Sequence, residues 1–222
     1  MNSLNHIAFI MDGNGRWGKK KGKSRNYGHL QGVETVKRVV KASIKLNIPI
    51  ITFYVFSSEN WKRPRSEKSF LFKLIKSYFS KELSNIIKQG IRIKILGDIK
   101  KFSKDLSSIL NKTSYKTRKN KRITVNLAIN YGSKVEIFQA LKKTKKNLTI
   151  KNFEKNLYTK NMPNPDILIR TGGYQRLSNF LLWQLAYTEL FFLKKLWPDF
   201  NSHDLLRIIK KFKNIQRNYG KI

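Results

Sequence analysis

Short apolar runs rich in β-forming residues alternate along the chain with longer segments whose apolar residues recur every three or four positions. The runs at residues 7–11, 50–56, 91–96, 123–129, 167–169 and 190–193 predict six strands. Between them, Val33, Val36, Val40 and Ile44 have helical spacing, as do Leu71, Leu74, Ile75, Tyr78, Phe79, Leu83, Ile86 and Ile87. Further stripes, at residues 135–141 and at Leu205, Ile208, Ile209, Phe212 and Ile215, predict helices as well. This alternation predicts an α/β fold, a single domain over residues 1–222 with a mostly parallel six-stranded sheet flanked by helices. The segment 70–87 carries more apolar and aromatic residues than a surface helix needs, so it reads either as a core helix or as one wall of an apolar cavity.

Composition narrows the class of protein. A hydrophobic content of 40% over 222 residues is enough for a real core. The chain has no cysteine, which excludes disulfides and thiolate metal sites and suits a reducing, cytoplasmic setting. Polar residues after Met1 and the early break at Asp12-Gly13 argue against a signal peptide. The apolar-rich stretch at 180–193 contains Gln184, Thr188 and Glu189 and is too short to span a bilayer. There are 47 Lys and Arg against 13 Asp and Glu, a net charge of +34. Such a charge fits a nucleic-acid or anionic-membrane partner. It fits equally a bias toward Lys, Asn and Ile, because the lysines recur in nearly every segment and no nucleic-acid-binding signature accompanies them. The expectation is therefore no specific nucleic-acid partner.

Three polar clusters follow three of the predicted strands. The first is Asp12-Gly13-Asn14-Gly15-Arg16-Trp17. By itself it reads as a turn, since Asp-Gly and Asn-Gly are strong turn formers. Arg16 and Trp17 are not called for by a turn, and a carboxylate there can share Mg²⁺ with phosphate oxygens and water. Arg25 and His29 lie a little further on. The second cluster is Ser57-Ser58-Glu59-Asn60-Trp61-Lys62-Arg63-Pro64, which otherwise reads as a polar loop before a helix capped by Ser66. The third runs from Arg170-Thr171-Gly172-Gly173 through Tyr174, Gln175, Arg176, Leu177 and Ser178. Paired arginines around a glycine turn make a diphosphate receptor, because a guanidinium grips phosphate oxygens with two parallel N–H groups. Any one of these arginines alone is an ordinary surface charge. Three clusters on one rim of a sheet point to multiply phosphorylated ligands.

These clusters, together with Asn130-Tyr131-Gly132 and Leu182-Trp183-Gln184 through Glu189, resemble the cis-prenyltransferases, in register from His6 to Phe200. The resemblance implies repeated condensation of isopentenyl diphosphate onto farnesyl diphosphate, with cis double bonds, to a long-chain polyprenyl diphosphate of the undecaprenyl class. It implies Asp12 as catalytic carboxylate and Mg²⁺ ligand, with Glu189 as a second metal ligand. Gly13, Asn14, Gly15, Arg16, Trp17, Arg25 and His29 would surround the allylic diphosphate. Ser57, Ser58, Glu59, Asn60, Trp61 and Arg63 would form a mobile loop linking the substrates, with Asn60 in the position often assigned the proton-accepting role. A carboxamide is a very weak base, so Asn60 is expected to orient the acceptor instead. Arg170, Arg176, Leu177 and Ser178 would hold isopentenyl diphosphate. The resemblance further implies a homodimer and an apolar tunnel for the product, walled by the 70–87 helix.

Burial is worth about 0.8 kcal/mol per methylene, so product release is expected at the inner face of a membrane, by peripheral docking. Three positions depart from the family pattern: Tyr174 replaces an acid, Gln175 a histidine of some members, and Ser133 a glycine. The rival expectations are a shorter-chain synthase, a noncatalytic subunit of the same fold, and a nucleic-acid-binding protein. The retained Asp12, Arg170 and Arg176 speak against the second, and the three loop clusters against the third.

Overall fold

The computed structural model describes residues 2–144 and 148–218. In chain order the elements are β1 (His6–Ile10), α1 (Asn14–Lys20), α2 (Arg25–Lys45), β2 (Ile50–Ser57), a 3-10 turn (Ser58–Lys62) and α3 (Arg65–Lys88). They continue with β3 (Ile91–Leu96), α4 (Lys104–Lys116), β4 (Ile123–Tyr131), α5 (Ser133–Thr144) and α6 (Ile150–Glu154). The last are β5 (Ile167–Arg170), β6 (Glu189–Phe192) and α7 (Ser202–Lys213). All six expected strands are present, and the sheet is parallel throughout, in the order β3-β4-β2-β1-β5-β6.

Alternation along each strand sorts the apolar side chains onto two faces. Ile7, Phe9, Ile51, Phe53, Val125, Ile167 and Ile169 point into one core, shared with residues of α2, α3, α4 and α7. Ala8, Ile10, Ala128 and Leu168 point into the other, against Phe180, Leu181 and Leu185. Burial on both faces is what a parallel sheet requires, and it explains why the strands read as near-continuous apolar runs. His6, 1% exposed, is the polar exception in β1. Its Nδ1 lies 2.9 Å from the Pro163 carbonyl, so Nδ1 carries the proton and Nε2 accepts from Thr52 Oγ1 at 2.6 Å. Burial lowers its pKa to about 4, which keeps it neutral.

Several expectations need correction. Helix α1 starts at Asn14, so the predicted Asp12–Gly15 turn is reduced to one left-handed residue, Gly13, with φ 107°. Ser66 lies inside α3, whose N-cap is Pro64. Ile215 lies beyond α7, and α4 and α6 had no counterpart in the pattern.

Two features aim the fold at one place. Strand β1 is flanked by β2 and β5, so the chain winds outward from it in both directions, and the crevice where the order reverses is the usual ligand position of such sheets. Near the carboxyl end of β2 the pairing with β4 shifts register between Tyr54 and Phe56. This bulge turns Phe56 to the same core as Phe53 and redirects the following Ser57 segment over the sheet.

Phe9 is the centre of the larger core, stacked on Phe53 at 5.1 Å and edge-on to Trp197 at 5.9 Å. Phe9→Ala is expected to destabilise the protein by about 3–5 kcal/mol in urea unfolding followed by circular dichroism.

Candidate active site

Arg170 closes β5 with its side chain 4% exposed, and a guanidinium that deep needs partners. Its Nη2 donates to Asp12 Oδ2 at 3.0 Å, across the β1–β5 crevice. Its Nη1 donates to Ser178 Oγ at 2.8 Å and to the Arg176 carbonyl. Asp12 Oδ1 accepts from Arg16 Nη2 at 3.1 Å. The backbone of Asp12 is fixed as well: Thr171 Oγ1 donates to its carbonyl at 2.8 Å, and Trp197 N donates to the same oxygen at 3.0 Å. Gly172, with φ 90°, lets these groups meet, because a Cβ there would lie 2.6 Å from Arg16 Nη2 and 3.0 Å from Asp12.

Above this cluster opens a cavity of about 350 Å³ lined by Asp12, Asn14, His29, Ser57, Asn60, Arg63, Arg170, Tyr174, Arg176 and Ser178. It meets an apolar cavity of about 120 Å³ between α2 and α3, with Met11, Asn14, His29, Val55 and Leu71 lining both. A third, of about 180 Å³, follows deeper along the same helices and shares Val36, Tyr78, Phe79 and Leu127 with the second. A cationic mouth thus leads into an apolar cleft.

Residues 10–220 match the family model described as "Putative undecaprenyl diphosphate synthase". An isoprenyl transferase of Oceanobacillus iheyensis is 43% identical over 100% of this chain and 92% of its own length. The chain belongs to the undecaprenyl diphosphate synthase family of prenyltransferases. It is accordingly a prenyl-transferring enzyme. The ditrans,polycis-undecaprenyl-diphosphate synthase ((2E,6E)-farnesyl-diphosphate specific) of Buchnera aphidicola is 41% identical over 99% of this chain and 92% of its own length. The crystal structure of lavandulyl diphosphate synthase from Lavandula x intermedia, in complex with dimethylallyl diphosphate, superimposes with a TM-score of 0.94. It is 31% identical and covers 98% of both chains.

In this prenyltransferase most of the expected site residues fall into two groups. Asp12, Asn14, His29, Ser57, Asn60, Arg63, Arg170, Arg176 and Ser178 reach the cavity, and Arg16 reaches Asp12. A second group braces it. Trp17 donates to Asp199 Oδ1 at 2.7 Å and stacks on Tyr27, and Trp61 donates to Asn130 Oδ1 at 2.7 Å within an aromatic cluster. Glu59 accepts from Ser58 at 3.2 Å and from Asn179 at 2.7 Å, linking the second and third loops. Leu177 packs on the smaller core. Gly13 caps α1, and Gly15 packs against the Arg25 guanidinium, which a Cβ would approach to 2.7 Å. The departure at Ser133 also has a structural use, since its Oγ accepts from Leu182 N at 2.9 Å.

Glu189 does not join Asp12. Ile167 pairs with both Ile7 and Glu189, so Glu189 lies level with Ile7, at the opposite end of the strands. At about 3.3 Å per residue, Asp12 is on the order of 15 Å further along. Glu189 instead faces Arg217, 3.6 Å away. The two carboxylates of one chain therefore cannot share an ion.

Asn60 acts as a cap here: its Oδ1 accepts from Ser57 N at 3.1 Å, so the carboxamide oxygen is already engaged. Glu67 was absent from the expectations. Its carboxylate, 9% exposed, accepts from Arg25 at 3.2 Å, Arg63 at 3.2 Å and His29 Nε2 at 3.2 Å, and so gathers three of the expected substrate-binding side chains. Burial opposes its charge, yet the Arg25 hydrogen bond and the Arg63 and Arg25 charges hold its pKa below the ordinary value. Burial outweighs Glu67 at His29, whose pKa is lowered, so His29 is a neutral donor to this carboxylate.

Glu67 is charged in the folded state at lower pH than in the unfolded chain, so its stabilisation is complete above the ordinary carboxylate pKa of 4.5 and is lost as pH falls through the lowered folded value. Glu67→Gln is expected to lose about 1–3 kcal/mol at pH 7, discounted for the half-exposed arginines. In urea melts from pH 7 to pH 3 the gap to the wild type should close on the acid side.

Proposed function

We propose that the enzyme extends farnesyl diphosphate by repeated condensation with isopentenyl diphosphate, to a cis polyprenyl diphosphate of the undecaprenyl class. The observation that carries this reading is the cationic cavity opening into the apolar cleft between α2 and α3, which suits a ligand with a diphosphate head and a hydrocarbon tail. The farnesyl specificity in the name of the Buchnera relative supports the choice of allylic substrate. The lavandulyl diphosphate synthase with the same fold makes the product a matter for experiment.

In this account Arg170, Arg176 and Ser178 hold the diphosphate of isopentenyl diphosphate, and Asp12, Asn14, Arg16 and His29 face that of the allylic substrate. Asn60 and Arg63 bridge the two from the second loop. The allylic C–O bond breaks with its electron pair passing to a diphosphate oxygen. The π pair of isopentenyl diphosphate forms the new C–C bond, and a proton leaves its C2 to restore a double bond. The arginines stabilise the charge developing on the leaving diphosphate, preorganised by Asp12 and Tyr174. Asn60, fixed through Ser57, orients the phosphate oxygen or water that takes the proton and is not itself the base.

Mg²⁺ fits the donor set. Among the described residues no group of three or more acidic or histidine side chains could cage a metal ion, but Asp12 alone suits an ion whose other ligands are diphosphate oxygens and water. When bound, Mg²⁺ supplies charge stabilisation to the leaving group. The α2–α3 cleft serves the growing chain, with Leu71, Leu74, Ile75, Tyr78 and Phe79 of α3 along it. A homodimer belongs to the same proposal. The outer face of α5 carries Val135, Phe138 and Leu141 in the open, 49%, 59% and 43% exposed, a stripe that a second copy would cover. No helix among the described residues is long and apolar enough to cross a membrane. Product transfer by peripheral docking from the cytoplasmic side belongs to the same proposal.

Purified enzyme incubated with farnesyl diphosphate, labelled isopentenyl diphosphate and Mg²⁺ should give a ladder of extracted lipids ending at undecaprenyl size, abolished by chelator. A ladder ending after one or two additions would replace the product class, and no chelator-sensitive extension would sink the proposal.

A further inference from the structure

Tyr174 stands directly after the left-handed pair Gly172 and Gly173, with φ 90° and 83°, which folds the chain back beside the diphosphate cavity. Three guanidinium groups surround its ring: Arg176 lies 4.2 Å from the centroid, Arg16 4.9 Å and Arg170 5.9 Å. Arg16 and Arg170 also reach Asp12, but among the described residues the Arg176 guanidinium has no hydrogen bond or ion pair. Its partner is the ring.

Three like charges in so small a space repel one another, and flexible arginines would ordinarily swing out into water. An aromatic face attracts a guanidinium through its quadrupole and leaves the in-plane N–H donors unused. A carboxylate in the same place would accept those N–H groups and compete with a diphosphate for them. We propose that Tyr174 is a positioning residue for diphosphate binding, gathering Arg16, Arg170 and Arg176 around its ring and leaving the Arg176 donors, unpaired among the described residues, to phosphate oxygens. The role rests on the two-diphosphate site proposed above. It falls to the ring and not to the hydroxyl, for which there is no hydrogen bond among the described residues.

The test compares wild-type enzyme with Tyr174→Phe and Tyr174→Leu. The probe is metal-free inorganic pyrophosphate, titrated calorimetrically at about 0.15 M salt to screen the basic surface. Steady-state kinetics with isopentenyl diphosphate run alongside. Tyr174→Phe should bind pyrophosphate as the wild type does. Tyr174→Leu, of similar bulk without the quadrupole, should lose about fivefold in affinity and raise KM about fivefold with kcat little changed. Equal pyrophosphate affinity in all three proteins would overturn the proposal, and so would a loss in Tyr174→Phe as large as in Tyr174→Leu. Because pyrophosphate binding is read without turnover, a wild type that binds it but makes no polyprenyl product would refute the proposed function and leave the role of Tyr174 standing.

Discussion

A guanidinium buried at the end of a central strand needs a counter-charge, and most of this molecule's chemistry follows from how Arg170 obtains one. Asp12 reaches it from just beyond the neighbouring strand, and the same carboxylate holds Arg16. The ion pair spans the crevice where the sheet reverses its winding order, so it is both a clasp between β1 and β5 and the floor of the ligand cavity. Two cations share one carboxylate, and Arg176 is left to the face of Tyr174. Such a cluster is held together internally and still has positive charge to offer an incoming anion.

A second constraint gives the site its shape. A parallel sheet buried on both faces requires helices on each, and on one face α2 and α3 part near the carboxyl ends of the strands to leave an apolar cleft. Glu67, at the start of α3, joins that helix to Arg25 and His29 of α2 and to Arg63 of the loop before it. The contact that fixes the mouth of the cleft therefore also fixes the cations beside it. Glu67 thus ties the position of α3 to that of Arg63 in the cavity wall.

The strands were legible in the sequence because two-sided burial leaves little besides Val, Ile, Leu and Phe, and the helices α2, α3 and α7 because their stripes are wide. Helix α4 escaped because its inward residues, Leu106, Leu110 and Thr113, are few and set among lysines and serines. The stripe at 135–141 was legible as helix but not as to its direction: Ala140 faces inward, and Val135, Phe138 and Leu141 face out. Within the site, motif spacing found Asp12, Arg170, Arg176 and Ser178 because loops after adjacent parallel strands converge. The resemblance that named Glu189 a second metal ligand does not say at which end of its strand the residue sits, and within one chain it lies away from Asp12. Motif spacing missed Glu67 because an acidic residue in a helix's first turn reads as ordinary dipole pairing. That Glu67 is among only 13 acidic residues, four after Arg63, was the available signal.

Asp12 is the internal counter-ion of Arg16 and Arg170, the charge with which an incoming diphosphate has to compete for them. Titration of metal-free inorganic pyrophosphate into wild type and Asp12→Asn tests it most directly. If Asp12 competes with the anion, removing its charge leaves more of the Arg16 and Arg170 charge to pyrophosphate, and the variant binds it several-fold more tightly than the wild type. Weaker binding by Asp12→Asn in the absence of metal would contradict the account.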